Sequence, residues 1–417
     1  MATRGAPLAW RLAWWLVCWL AFAAACGPVV TAKTDPGVPP AAPPAPAPAP
    51  TGEAGAEVSA APPDGGARTS DAGAAAARVG TGRLVLVAGG DLELARAMGQ
   101  RLLSDPATDP LATLAPLLAS GDVRFANLES QLSEQGGVTI SRQNSLVFVG
   151  PPVGADALAR ARITVVSTAN NHAWDFGRRA FVETLENLDR VGVRHVGTGR
   201  TRDEALSPVI LEHEGHRLAL LAVTDIWNQG PLAAHVARDL VADADRERLP
   251  RQVAELRRDV SLDSIVVSYH GGDEYQDAPT LRTRRLLRAV VDAGADAVLG
   301  HHVHVVQGIE WYRGKPILYS MGNLLMQAHR GVPATAYGYL ARLTLARGGV
   351  PRLEVCPFRI VGLTPTPFVG VPGRDAFERT FFSRLRRVSW LVEERLQVAA
   401  TGADGCAAVA PKSGPER

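Results

Sequence analysis

From about residue 81 onward, short apolar runs alternate with amphipathic stretches. The runs Arg83–Ala88, Val123–Ala126 and Ile163–Ser167 predict buried strands, and Arg178–Val191 predicts a helix. The pattern continues with strands at Arg217–Thr224, Ser264–Ser268 and Ala297–Leu299 and with helices at Leu249–Arg258 and Leu281–Ala293. This alternation predicts an α/β fold with much parallel sheet.

The C-terminal third of the chain has a different pattern, because its apolar runs follow one another without helices between them. We expect these runs to form an antiparallel second sheet or a sheet edge. They are Val306–Tyr312, Pro316–Tyr319, Tyr337–Leu345 and Leu353–Val361. A last helix is predicted over Arg374–Val398, so that the folded domain covers residues 81–400 and residues 401–417 form a flexible tail.

The first 26 residues read as a targeting segment. Arg4 and Arg11 precede the uncharged run Leu12–Ala25. A run of about 14 apolar residues suits a signal sequence better than a membrane span. Small residues stand directly before Cys26, which predicts a lipoprotein signal with Cys26 as the lipid-bearing residue. An ordinary signal peptide and an uncleaved anchor remain alternatives.

Residues 27–80 are rich in Pro, Ala, Gly and Ser and have no apolar periodicity. Such a segment buries no core and predicts a disordered linker. Together with the signal, it predicts an exported protein that is held on a membrane by an N-terminal lipid and faces the periplasm or the cell surface.

The composition narrows the choice of partners. The 417 residues include 44 Lys plus Arg and 42 Asp plus Glu, a net charge of +2, so the charge balance argues against nucleic acid as a ligand. Of the four Cys, Cys18 and Cys26 lie in the signal region. Cys356 and Cys406 remain, and an oxidising compartment would permit them to pair, although the sequence does not decide whether they do.

Polar side chains gather where the predicted strands end, which is where ligands bind in open α/β sheets. Each has an ordinary explanation singly, such as a helix cap, a turn residue or a packed His. Their occurrence at successive strand ends predicts a shared site. They are Asp91, Asn127, Glu129, Asn170, Asn171, His172, Asp175, His270, Glu274, His301, His302 and His304.

This set of side chains suits hydrolysis assisted by two divalent ions. The expected metal ligands are the carboxylates Asp91 and Glu129, the amide of Asn171, and the imidazoles His270, His302 and His304. His172 is then placed to protonate a leaving group, and Asp175 to fix its tautomer.

The ordered motifs resemble the CapA family of capsule and poly-γ-glutamate synthesis proteins, which is similar in fold to calcineurin-like metallophosphoesterases. The motifs are Gly90-Asp91, Asn127-Leu128-Glu129, Ala169-Asn170-Asn171-His172, His270 with Glu274-Tyr275, Gly300-His301-His302-Val303-His304 and Ser320-Met321-Gly322-Asn323. The resemblance implies a layered α/β sandwich of mixed sheets flanked by helices. It also implies a substrate cleft lined by Asn127, Asn170, Glu274, His301 and Asn323.

Glu93 marks a departure from the phosphoesterases, which carry His two residues after the first Asp. A carboxylate at this position is either a further metal ligand or a glutamate favoured by a helix N-terminus. Both alternatives stay open at this point. Arg142, Arg178, Arg179 and Lys315 flank the motifs and are candidates for contacts with polymer carboxylates.

The resemblance implies an exported protein of anionic-polymer synthesis, release or anchoring. We expect a metal-dependent hydrolase with two Mn, Fe or Zn ions, in which metal-bound hydroxide attacks a phosphoester or a γ-amide bond. Two alternatives remain. One is a non-catalytic polymer-binding subunit of a capsule synthase or export complex, and the other is an exported phosphodiesterase or nucleotidase.

Overall fold

The computed structural model describes residues 82–370 and 372–412. The predicted signal segment 1–26, the predicted linker 27–80 and residues 413–417 lie outside these described residues. Within them, no helix is both long enough and apolar enough to cross a membrane.

The elements follow the predicted alternation in the first half of the domain and become strand-rich afterwards. The strands of the described residues are β1 (Arg83–Leu92), β2 (Val123–Leu128), β3 (Gln131–Leu132), β4 (Val149–Gly150), β5 (Val165–Ser167), β6 (Arg194–Val196), β7 (Val209–His213), β8 (His216–Thr224), β9 (Ser264–His270), β10 (Ala297–His301), β11 (Ile309–Tyr312), β12 (Lys315–Leu318), β13 (Asn323–Leu325), β14 (Tyr337–Ala346), β15 (Arg352–Val361), β16 (Thr364–Pro367), β17 (Leu396–Val398) and β18 (Ala407–Pro411). The helices are α1 (Arg96–Ser104), α2 (Ala115–Leu118), α3 (Val153–Arg160), α4 (Gly177–Arg190), α5 (Arg202–Leu206), α6 (Arg248–Arg257), α7 (Leu281–Asp292) and α8 (Arg374–Trp390).

Two mixed sheets carry the fold. The larger runs in the order β17-β18-β15-β14-β1-β2-β5-β6, with β13 added beside β1 and β16 beside β15. Its strands β1, β2, β5 and β6 are parallel, whereas β14 and β15 are antiparallel. The smaller sheet runs β11-β12-β10-β9-β8-β7, parallel at its centre and antiparallel at both edges. The predicted mixed α/β class is therefore confirmed.

Alternation along the central strands arranges the sheets in layers. On β1, Leu84 and Leu86 belong to a core shared by both sheets, while Val85 and Val87 pack toward α1 and α3. On the strands of the smaller sheet, alternate side chains enter the same shared core, and the others pack against α6 and α7. Because each strand buries both faces, the result is a four-layer sandwich with helices outside two sheets.

Glycines let the site-bearing strands approach neighbouring backbone closely. A Cβ added at Gly90, directly before Asp91, would lie 1.8 Å from the carbonyl oxygen of Gly322. A Cβ added at Gly300, directly before His301, would lie 2.1 Å from the carbonyl oxygen of Tyr319. Any larger residue at either position would push the strand end away from the site, so these glycines are part of its construction.

Three sequence predictions need correction. The last helix ends at Trp390 rather than Val398, because Leu396–Val398 pairs with Ala407–Pro411 as an edge hairpin. For the same reason the tail is not flexible over Ala407–Pro411, which also pairs with β15. The four late strands do not form one sheet, because β11 and β12 join the smaller sheet and β14 and β15 join the larger.

A disulfide bond fastens the C-terminal hairpin to the larger sheet. It joins Cys356 on β15 to Cys406, 50 residues later, directly before β18. Both residues are buried, and the Arg342 guanidinium reaches both sulfurs and the Asp404 carboxylate. The two cysteines that the sequence left open as a pair are therefore bonded.

We predict that replacing Cys356 and Cys406 together by Ala lowers the free energy of unfolding by about 2–4 kcal/mol, the usual range for a loop of this size. Urea unfolding of the full-length protein measures the change. Addition of a thiol reductant should lower the free energy of unfolding of the wild type and leave that of the double variant unchanged. Equal stability of the wild type with and without reductant would contradict a structural role for the bond.

Candidate metal centre

A fully buried carboxylate lies at the centre of the strand-end residues. Glu129 follows β2 and is 0% exposed. Neither of its side-chain oxygens has a hydrogen-bond partner among the described residues. Three imidazole nitrogens surround it without bonding it, from His270 at 3.5 Å and from His172 and His304 at 3.9 Å each. A buried carboxylate without partners is costly, so this cluster is built to receive a cation.

Two residue groups share Glu129. One consists of Asp91, Glu129 and His304, and the other of Glu129, His270 and His302. In each group one ligand atom per residue lies within 4.8 Å of the others. Donors about 2.1 Å from one ion stand roughly 3–4.2 Å apart, so small side-chain adjustments suffice for binding. All five residues are buried.

The first group is held by contacts from both sheets. Asp91 Oδ1 accepts a hydrogen bond of 2.8 Å from Asn127 Nδ2, and Asp91 Oδ2 accepts the backbone N–H of His302 at 3.0 Å. His304 Nδ1 donates to Asn323 Oδ1 at 3.0 Å, which leaves Nε2 on the side of Glu129. An amide that fixes the tautomer of a ligating His is a recurring feature of metal sites.

The second group is completed by an amide. Asn171 Oδ1 lies 2.7 Å from His270 Nε2, and Asn171 Nδ2 donates to Asn228 Oδ1 at 3.1 Å. The second bond turns the carbonyl oxygen of Asn171 toward the imidazole. Asn171 therefore lies beside the second group, as the sequence predicted for a ligand, and Asn228 is a supporting residue that the sequence analysis missed.

The electrostatics of the two groups differ. Burial, and next the charge of His302, lower the pKa of His270, and burial with the charge of His304 lowers the pKa of His302 to about 4. Both imidazoles are therefore neutral and ready to bind metal at neutral pH. Burial opposes a charge on His304, but the carboxylates of Glu129 and Asp91 outweigh it and raise the pKa of His304 to about 10.

The carboxylates respond to the same environment. Burial alone would raise the pKa of Asp91, but hydrogen bonds and charges from His301, His304 and His270 bring it well below the usual range. Burial, and then repulsion by Asp91, raise the pKa of Glu129 well above its usual value. Glu129 and His304 together therefore keep a proton that a metal ion would have to displace.

A His–Asp pair lies beside the two groups. Asp175 Oδ2 accepts from His172 Nδ1 at 2.8 Å and from the backbone N–H of Phe148 at 2.9 Å. Phe148 also stacks on the imidazole, with ring centroids 4.2 Å apart. His172 Nε2 is thereby directed toward Glu129. Asp175 orients His172 as predicted, whereas Phe148 is an additional contact that no sequence motif marked.

Three residues that the sequence predicts to line the substrate cleft are buried and hold other site residues. Asn127 bonds both Asp91 and His270, and Asn170 bonds Asn127 and the backbone N–H of His172. Asn323 holds His304. These amides are at most 1% exposed, so they position the site residues.

Two further cleft predictions have different outcomes. His301 is fully buried, with Nδ1 3.5 Å from Asp91 Oδ1, and belongs to neither residue group. Glu274 is exposed, so it alone among the predicted cleft residues is open to solvent. Its neighbour Tyr275 places its ring 6.0 Å from the His304 ring.

Glu93 follows neither of the two alternatives left open by the sequence. It belongs to neither residue group, and its carboxylate pairs with the Arg96 guanidinium at 2.9 Å. Burial raises the pKa of Glu93, and the charge of Arg96 only partly offsets this. The N-cap of α1 is Ala95, so Glu93 also stands outside the first turn of the helix.

Comparison with protein families agrees with this geometry. Residues 85–328 match the model of the bacterial capsule synthesis protein family PGA_cap, and this segment contains both residue groups. The chain belongs to this family.

Two curated proteins that this chain is similar to come from Bacillus species. The PGA biosynthesis protein CapA of Bacillus subtilis is 34% identical over 235 residues, 55% of this chain and 60% of the relative. The capsule biosynthesis protein CapA of Bacillus anthracis is 30% identical over 213 residues, 51% of each chain. The chain thus matches between half and three-fifths of the length of these relatives.

Among solved structures, one that this chain is similar to is the sulfate thiohydrolase SoxB of Thermus thermophilus. It is 14% identical, covers 73% of this chain and 60% of its own, and has a TM-score of 0.41. A likeness at this level carries no argument about substrate or activity.

We predict that Asp91→Asn lowers the divalent metal content, whereas Glu93→Gln, a matched change two residues away, leaves it near the wild-type level. Asp91 contributes an atom to one residue group, and Glu93 is occupied by Arg96. Elemental analysis of dialysed full-length variants measures both. A metal loss in Glu93→Gln equal to that in Asp91→Asn would show that Glu93 is a ligand after all.

Metal binding should release at least one proton per chain at pH 7, because the raised pKa of His304 keeps that imidazole protonated in the metal-free protein. Because a metal cation competes with this proton, the apparent affinity for the metal rises with pH, by about tenfold per pH unit for each proton displaced. Calorimetric Mn²⁺ titrations in buffers of different ionisation enthalpy count the protons. Affinity that is independent of pH from 6 to 8 would refute this assignment.

Proposed function

We propose that this protein is a metal-dependent hydrolase that acts on an anionic cell-surface polymer or on its phosphoester or γ-amide linkages. The observation that carries the proposal is Glu129, a fully buried carboxylate without hydrogen-bond partners among the described residues, shared by two groups of metal-ligating side chains. Membership of a capsule synthesis family supports the polymer as the substrate class.

The donor set fits two divalent ions of the Mn, Fe or Zn type. Carboxylate, amide and imidazole donors are those such ions accept, and no thiolate is present among the candidate ligands. Asp91, Glu129 and His304 would hold one ion, and Glu129, His270 and His302 the other, with Asn171 beside the second. Bound ions would supply Lewis acidity at the bond to be cleaved.

The protein's own residues account for the remaining steps. His172 stands next to the shared carboxylate, held by the Asp175 carboxylate on Nδ1 and by the Phe148 ring on its face. When Nε2 carries the proton to be transferred, the Asp175 carboxylate on Nδ1 stabilises the protonated imidazole and keeps the ring in place. His172 would therefore give a proton to the leaving oxygen or nitrogen, as a general acid.

The disulfide supports export of the chain. Bonded cysteines persist in oxidising compartments such as the periplasm and the cell surface, and are rare in the cytosol. The buried pair Cys356–Cys406 agrees with the signal sequence and Pro-rich tether that the N-terminus predicts. We therefore propose that the folded domain lies outside the cytoplasm, held on a membrane by the lipid that the sequence predicts on Cys26.

Two histidine variants separate metal binding from proton transfer. His302→Ala should lose metal and activity together. His172→Ala should keep its metal and lose about 10²–10⁴-fold in turnover, the usual contribution of a general acid. Activity is followed with a chromogenic phosphodiester and a γ-glutamyl anilide, metal by elemental analysis. His213→Gln, a surface histidine on β7, is the control.

The rival function is a non-catalytic polymer-binding subunit of a synthase or export complex. It predicts capsule production that is insensitive to both His302→Ala and His172→Ala. Normal polymer in cells that carry either variant at wild-type protein level would rule out the catalytic role.

A further inference from the structure

Four site residues have backbone conformations that bulky side chains rarely adopt. Of the eight non-glycine residues with positive φ in the described chain, His302 (φ 90°) and His304 (φ 58°) are candidate metal ligands. Tyr275 (φ 63°) places its ring 6.0 Å from His304, and Arg96 (φ 46°) contacts the Phe148 ring that stacks on His172. Such strain persists where the surrounding fold imposes it, and it concentrates at functional sites. Arg96 and Tyr275 have no role yet in the proposed reaction.

Arg96 is built into the wall that carries the general acid. Its guanidinium lies 4.0 Å from the centroid of the Phe148 ring. That ring stacks on His172, and the backbone N–H of Phe148 donates to Asp175. A cation against an aromatic face is favourable and keeps the guanidinium flat and oriented. Arg96 is therefore held in a fixed position on the His172 side of the site.

The guanidinium retains donors for a ligand. One terminal nitrogen donates to Glu93 Oε2 at 2.9 Å, and the other to the carbonyl oxygen of Ser145 at 3.2 Å. Arginine has five N–H groups, so about three remain. The Arg96 side chain is 24% exposed, whereas that of Glu93 is 4% exposed, so the open side of this ion pair is the cationic one.

Tyr275 provides a second wall on the His304 side. Its backbone N–H donates to the carbonyl oxygen of Val303 at 2.9 Å, and its ring lies 6.0 Å from His304 and 5.5 Å from His329. The residue is 37% exposed. A phenol at this place offers a hydroxyl donor and an apolar face to a chain that enters the site.

We propose that Arg96 binds an oxyanion of the substrate, a carboxylate or a phosphoryl oxygen, at the mouth of the metal centre, with Tyr275 as the second wall of the entrance. The proposal rests on the proposed function and names the residue that selects an anionic substrate. A guanidinium held on one face is the geometry that recognises such oxygens.

Two of the four basic residues that the sequence suggested for this task are less suitable. Lys315 pairs with Asp296 at 2.7 Å, and Arg179 pairs with Glu183 at 3.3 Å, so both are occupied by contacts of their own. Arg96 is also paired, but its side chain is 24% exposed whereas that of its partner is 4% exposed, and about three of its N–H groups make no hydrogen bond. It was missed because its position depends on contacts with Phe148 and Ser145, about 50 residues away in sequence.

Binding of two anions to the full-length, Mn²⁺-supplemented protein tests the proposal without any turnover. The probes are inorganic phosphate and glutarate, and calorimetry gives their affinities. Arg96→Gln should weaken at least one of them by about tenfold or more, the usual effect of losing a charged hydrogen-bond donor. Arg101→Gln, an exposed arginine of the same helix, should bind both as the wild type does.

Comparison of the two probes identifies the chemistry of the ligand. A loss confined to glutarate indicates a carboxylate of the polymer, and a loss confined to phosphate indicates a phosphoester. Arg96→Lys should restore part of the affinity, and Tyr275→Phe should weaken binding less than Arg96→Gln. The metal content of each variant is measured on the same samples.

Wild-type affinity for both anions in Arg96→Gln would overturn the proposal. So would a loss of affinity that is matched by a loss of metal, because Arg96 would then act only by placing Glu93. A protein that binds anions through Arg96 and hydrolyses neither chromogenic substrate would contradict the proposed hydrolase and leave this inference standing.

Discussion

The site depends on one constraint, which is the carboxylate of Glu129, fully buried in a place where no described protein group hydrogen-bonds it. A desolvated carboxylate with three imidazole nitrogens at 3.5–3.9 Å and no hydrogen bond is stable only if something cationic joins the cluster. In the metal-free protein the imidazole of His304, whose pKa is raised to about 10, supplies that positive charge 3.9 Å from Glu129. The proposed metal ions would replace that charge, and the strand ends bring the carboxylates and imidazoles together around it.

The fold supplies that arrangement by bringing the carboxyl ends of strands from two sheets together. The larger sheet contributes Asp91 after its Gly-Gly pair and Glu129 after β2, and the smaller sheet contributes His270 and the turn that holds His302 and His304. The backbone N–H of His302 donates to Asp91, so the two sheets are joined by a bond within the site itself. The packing of the two sheets therefore both forms the shared core and brings the site residues together.

The sequence predicted the residues of the metal centre better than their surroundings. Strand ends could be located from apolar runs, and carboxylates, amides and imidazoles clustered there by residue type alone. The supporting contacts of Asn127, Asn170 and Asn323 could not be predicted, because they depend on burial, and burial is a property of the packed molecule. The contact of Arg96 with the Phe148 ring and the stacking of Phe148 on His172 depend on the approach of residues 140–148, which no local pattern encodes. The final hairpin was missed for the same reason, since Leu396–Val398 becomes a strand only through its partner Ala407–Pro411.

The central claim is that the buried carboxylate of Glu129 is shared by two divalent ions. The most direct test is elemental analysis of the full-length protein, purified without chelator and reconstituted with Mn²⁺, beside Glu129→Gln. The account predicts close to two ions per chain for the wild type and a loss from both positions in the variant, because both residue groups contain Glu129. A wild-type chain that binds no metal after reconstitution, or a Glu129→Gln variant that keeps the full wild-type content, would contradict it.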